Sequence, residues 1–121
     1  MKKFNSNTQL VQLIFDKLRE ILELTLLIRE MIVKEELETL PDHLSRRERK
    51  IEELSEFLNE FEKVKDKTMD PRRIQLEINA ILDEVLKIDA ENADNIREKM
   101  KKISEELNRL IERRKILNYL R

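Results

Sequence analysis

Glycine is absent from all 121 residues, and proline occurs only at positions 41 and 71. A chain without glycine lacks the residue that enters left-handed turns at least cost, so tight reversals are scarce and sheets are disfavoured. Charged residues make up 42% and apolar residues 40%, a mixture that suits long amphipathic helices. The expected fold is therefore all-α: an antiparallel bundle of three to four long amphipathic helices, in one domain spanning residues 1–121.

Charge and residue type exclude several functions. The 25 basic and 26 acidic side chains nearly cancel, so no whole-protein field draws the chain to nucleic acid or to an anionic membrane. Cysteine is absent, which removes disulfides, thiolate chemistry and sulfur-ligated metals and fits a reducing cytoplasm. The opening MKKFNSNTQLVQLIF is interrupted by Asp16, Lys17, Arg19 and Glu20 before a secretory core could form. The most apolar run, LTLLI, carries its own threonine and is far short of a membrane span. A soluble, cytoplasmic protein without membrane insertion or nucleic-acid binding is expected.

Periodicity places the helices. Ser6 and Gln9 have the form of a capping box, and apolar residues then recur at Leu10, Ile14, Leu18, Ile21, Leu24, Ile28 and Ile32, giving helix 1 over about 8–33. Between Leu10 and Val33, 15 of 24 residues are apolar, leaving one narrow polar strip of Gln12, Asp16, Arg19, Glu23 and Glu30. Such a helix needs cover on more than one side. A second stripe from Leu37 to Val64 gives helix 2 over about 36–66, restarting or kinking at Pro41 with Thr39 and Asp42 as cap and third residue. Asp70-Pro71 starts helix 3, which runs to about 89 on Ile74, Ile78, Ile81, Val85 and Ile88.

The stretch DAENADN at 89–95 puts Asn92 and Asn95 where core residues would fall. Either the helix continues through a four-residue stutter, or Asp89 caps a fourth helix over about 90–119. An unbroken helix from Pro71 to Asn118 would reach roughly 70 Å, against roughly 38 Å for helix 1. Its far half would protrude and need a second chain, so the fold-back to a four-helix bundle is the expected arrangement.

No catalytic, metal or cofactor site emerges. His43 is the only histidine, and adjacent carboxylates such as Glu52-Glu53 point about 100° apart on a helix. An all-helical mutase of the chorismate type would need inward cations, and only Arg47 and Arg114 interrupt apolar stripes. From Arg97 onward there are nine basic and four acidic residues, while Lys34 to Asp66 holds seven basic and 11 acidic. Pairing between these two segments is the expected use of the charge.

The order of features resembles the flagellar type III export chaperones of the FliT/FlgN kind. One stretch, residues 18–54, has a helix with Leu24-Thr25, an acidic turn at Glu35 to Leu37, then Arg47 and the ending Ile51 to Leu54. The other, residues 81–120, has an aliphatic-acid helix, an Asp89-x-x-Asn92 step and a long charged helix ending in Tyr119. Together they cover 77 of the 121 residues. The chain departs from the filament-cap chaperones by carrying Glu35-Glu36 where a tryptophan is found. The resemblance implies a cytoplasmic chaperone without cofactor that holds a filament-cap or hook-junction subunit and passes it to the export apparatus.

Two surfaces are expected to meet a client or a partner chain. Leu27 falls inside the polar strip of helix 1, where burial in a monomer core is hardest. The row Ile96, Met100, Ile103, Leu107, Leu110 and Leu117, with Tyr119, lies on the last helix, which is expected to hinge at DAENADN and latch over a client groove. The apolar excess of helix 1 also fits a homodimer interface, and the alternative reading is a dimerising structural or regulatory helical module without a secreted client.

Overall fold

A computed structural model describes residues 7–120, so the Ser6 half of the expected capping box lies outside the described residues. Three long helices account for nearly all of them: α1 (Asn7–Val33), α2 (Leu40–Val64) and α3 (Pro71–Leu120), with one 3-10 turn at Lys65–Lys67. The fold is all-α, as its composition requires. Helix α1 packs against both α2 and α3. This explains its apolar circumference: Leu10, Ile14, Leu18, Ile21, Leu24, Ile28, Met31 and Ile32 are all buried. The flanking helices contribute less, with Leu54 and Phe61 from α2 and Ile78, Val85 and Ile88 from α3. Ion pairs reinforce the α1–α2 seam, with Lys17 2.9 Å from Glu53 and Lys50 3.2 Å from Glu20. Partial burial acts to raise the Glu20 carboxyl, but the hydrogen bonds from Lys50 and Lys17 prevail and hold it below its ordinary value.

Two reversals are made without glycine. The Glu36 amide donates to the Met31 carbonyl at 2.9 Å and the Glu35 amide to that of Ile32 at 3.2 Å, a Schellman ending for α1. Its left-handed position, where glycine is the usual occupant, is filled by Glu35 at φ 60°. Asp70 is left-handed too, at φ 55°, and the Ile74 amide donates to its carbonyl at 3.2 Å. Helix 2 begins later than the expected 36: residues 36–39 are not helical, and α2 starts at Leu40 with proline in its first turn. Thr39 sits at the N-cap but makes no capping hydrogen bond.

The expected fold-back does not occur. Helix α3 runs 50 residues, straight through 89–95, so the separate fourth helix over 90–119 is replaced by a continuation of helix 3. The stretch contains neither glycine nor proline, its alanines favour helix, and Asp89 is held by Arg47 rather than turning back to cap an amide. Asn92 of α3 meets Thr25 and, farther along, Lys99 meets Glu35 just past the end of α1, so α3 runs parallel to α1. The bundle ends near Lys99, and the remaining 20 or so residues project about 30 Å beyond it.

Ile78 is fully buried and Leu76, two residues away, is 69% exposed. Ile78→Ala should lower the unfolding free energy by about 2–4 kcal/mol, and Leu76→Ala should change it by less than about 0.5 kcal/mol, in urea titrations. The Glu20 contribution is present above the ordinary carboxylate value and lost as pH falls through the lower folded-state value. Glu20→Gln should therefore narrow the stability difference between about pH 7 and about pH 3.

Candidate protein-binding surface

From Met100 to Tyr119 every residue of α3 is exposed. Met100, Ile103, Leu107, Leu110 and Leu117 lie on this stretch and Ile96 just before it, at exposures from 37% for Ile96 to 64% for Met100. Their spacing alternates four and three residues, a narrow coiled-coil seam in which Arg114 fills the one missing position. Ile111 borders the row and is also exposed. Tyr119 ends it at 92% exposure, free of the bundle.

The row is uncovered because the bundle ends before it, and the apolar stripe changes register at the same place. Ile78, Val85 and Asn92 share the buried face of α3, and Lys99 continues that face. Apolar residues instead step by four, from Ile88 past Asn92 to Ile96 and Met100, which turns the stripe sideways around the helix. Lys99 reaches the α1–α2 link, its Nζ donating to Glu35 at 2.9 Å. That bond holds the Glu35 carboxyl below its ordinary value. Glu35, Leu37, Lys99, Lys102, Ile103 and Glu106 line a cleft of about 400 Å³ where the row begins.

A polar network sets the direction in which α3 leaves. Thr25 is fully buried on α1; its hydroxyl donates to the Ile21 carbonyl at 2.7 Å and accepts from Arg47 Nε at 3.0 Å. The other arm of the Arg47 guanidinium donates to Asp89. Asn92, also buried, donates from Nδ2 to the Thr25 carbonyl at 3.4 Å, and its Oδ1 has no hydrogen-bond partner. One residue of α1, one of α2 and two of α3 are thereby tied at one level. Burying such groups costs desolvation, so the network acts mainly on geometry: its partners meet only when α3 stays helical through Asn92.

Leu27 is exposed at 39%, as its place in the polar strip requires. It lines shallow clefts with Leu26, Val33 and Arg46, residues of α1 and α2. No residue of the α3 row lines either cleft, so the two expected surfaces are separate. The hinge needed for a latch is absent, because 89–95 is helical and bonded into the bundle. Charge pairing between the acidic middle segment and the basic end shrinks to Lys99 with Glu35, since α3 has left the bundle before most of its cations occur. Among the described residues, no group of three or more His, Cys, Asp or Glu side chains could hold a metal ion. Nor is any helix long and apolar enough to cross a membrane.

No protein-family model, curated protein or solved structure matches this chain.

The Arg47–Asp89 pair is only partly shielded, at 16% and 36% side-chain exposure. A double-mutant cycle of Arg47→Met and Asp89→Leu, read by urea unfolding, should give a coupling of about 1 kcal/mol. A coupling near zero would mean that the pair does not hold α3 in place.

Proposed function

We propose that the chain is a protein-binding helical module whose projecting α3 receives an amphipathic helix of a partner, and that this partner is an exported flagellar subunit held in the cytoplasm before secretion. The uncovered row from Ile96 to Leu117 carries the binding part of the reading. Six apolar side chains on one stripe of a solvated helix, interrupted only by Arg114, form an exposed apolar surface of the kind that marks an interaction site. An amphipathic client segment presents the complementary stripe, and helix-to-helix packing of this type is read through anchors at three- and four-residue spacing. The flagellar part rests on the resemblance of residues 18–54 and 81–120, carried by Leu24-Thr25, Glu35 to Leu37, Arg47, Ile51 to Leu54, Asp89, Asn92 and Tyr119.

Tagged chain co-expressed with exported flagellar proteins should retain one filament-cap or hook-junction subunit. Leu107→Asp together with Leu110→Asp should weaken that complex by about 100-fold or more, the scale of losing two central anchors. The thermal midpoint of the bundle should stay unchanged, because neither residue touches its core. Retention that survives the double substitution would move the binding site off α3, and failure to retain any exported subunit would end the flagellar reading. Leu27→Asp tests the second surface in the same assay.

A further inference from the structure

We infer that, when no other helix covers it, the projecting half of α3 pairs with the same segment of a second copy of this chain, antiparallel, with Leu107 facing Leu110 of the other copy. This concerns the purified chain alone and stands or falls separately from the identity of any client.

The charges on the helix select both direction and register. In a parallel pair each side chain of the seam meets its own copy, so Arg114 would face Arg114 across an apolar seam, two like charges buried together. Reversal removes this clash by setting Arg114 opposite Ile103. There it arrives beside the cleft lined by Glu35 and Glu106, and its aliphatic stem can lie along the seam while its head reaches those carboxylates.

Reversal also pairs the two positions that border the same side of the seam, here Lys99, Glu106 and Arg113. With Leu107 opposite Leu110, Glu106 falls beside Arg113 of the second copy, and the two-fold axis makes this pair twice. Sliding one helix by a heptad in one direction sets Lys99 against Arg113 and Glu106 against itself. Sliding it in the other direction sets Arg113 against itself. Of these three registers only the central one sets no two like bordering charges together, and Lys99 keeps its bond to Glu35 of its own chain. In that register Met100 stands opposite Leu117 at each end, an overlap of about two and a half heptads.

The absence of cysteine makes the test direct. Light scattering on the purified chain should give twice 14.7 kDa at concentrations of tens of micromolar. Chains carrying Ile103→Cys and chains carrying Arg114→Cys, mixed and oxidised, should form a disulfide-linked dimer, while neither should link to itself. In the proposed register each cysteine lies 11 residues, about 16 Å, from its own copy, beyond the roughly 7 Å between Cα atoms that a disulfide spans. Glu106→Lys and Arg113→Glu should each weaken the dimer about tenfold, and the two together should return it to within about threefold of the parent. A monomer at these concentrations, self-linking of Ile103→Cys, or losses that accumulate in the charge-swapped double variant would each overturn the proposal. Circular dichroism of each variant at high dilution confirms that the bundle, whose buried core contains none of these residues, remains folded.

Discussion

Helix α1 is the surface on which the rest of the chain is assembled. Its apolar side chains extend around most of its circumference, and burial of each is worth roughly 1.5–3 kcal/mol, so neither α2 nor α3 alone could cover it. Both dock on it, one on each side, and the core from Leu10 to Ile32 is the common property of the three helices. Because α1 supplies the shared wall, the bundle can be no longer than α1. A 27-residue helix gives about 40 Å of wall, and the 50-residue α3 needs about 75 Å. The excess has nothing of its own chain to lie against.

That mismatch explains why the apolar row is exposed and why it changes face. A stripe that continued the register of Ile78 and Val85 would point toward space left empty by the end of α1. The row from Ile96 onward is instead rotated and spaced as a two-helix seam, the pattern of a helix that packs against one other helix rather than into a bundle. Thr25, Arg47, Asp89 and Asn92 sit at the level where the two regimes join. They keep α3 helical and parallel to α1 across its most polar stretch, and Lys99 with Glu35 repeats the restraint one step farther along. A surface offered by a helix held in this way is preorganised, which lowers the ordering cost that a partner must overcome.

Much of this was legible in the sequence. The absence of glycine and the periodicity of Leu10 to Ile32 establish long helices and a first helix covered on more than one side. Asp70-Pro71 marks the start of α3 to the residue, and Leu27 lies exposed as its strip required. The fate of DAENADN was not legible. Asp89 reads equally well as a cap or as an ion-pair partner, and what decides between them is Arg47, 42 residues away in sequence and adjacent only in the fold. The buried Thr25 was hidden for the same reason: inside an apolar run a threonine looks like filler, and its hydroxyl gains a role only when the Arg47 guanidinium arrives from another helix. Pairing of the acidic middle with the basic end was inferred from charge totals, which carry no information on whether the two segments reach each other.

The continuity of α3 underlies the exposed row, its register and every partner it could take. Spin labels at Arg72→Cys and Asn118→Cys, introduced into a chain without native cysteine and diluted with unlabelled protein, report the separation within one chain by pulsed electron resonance. A single helix across those 46 intervening steps places the labels about 69 Å apart, with a narrow distribution. A distribution centred below about 30 Å would mean that the chain folds back near residues 89–95 and that the row from Ile96 to Leu117 is buried in the bundle.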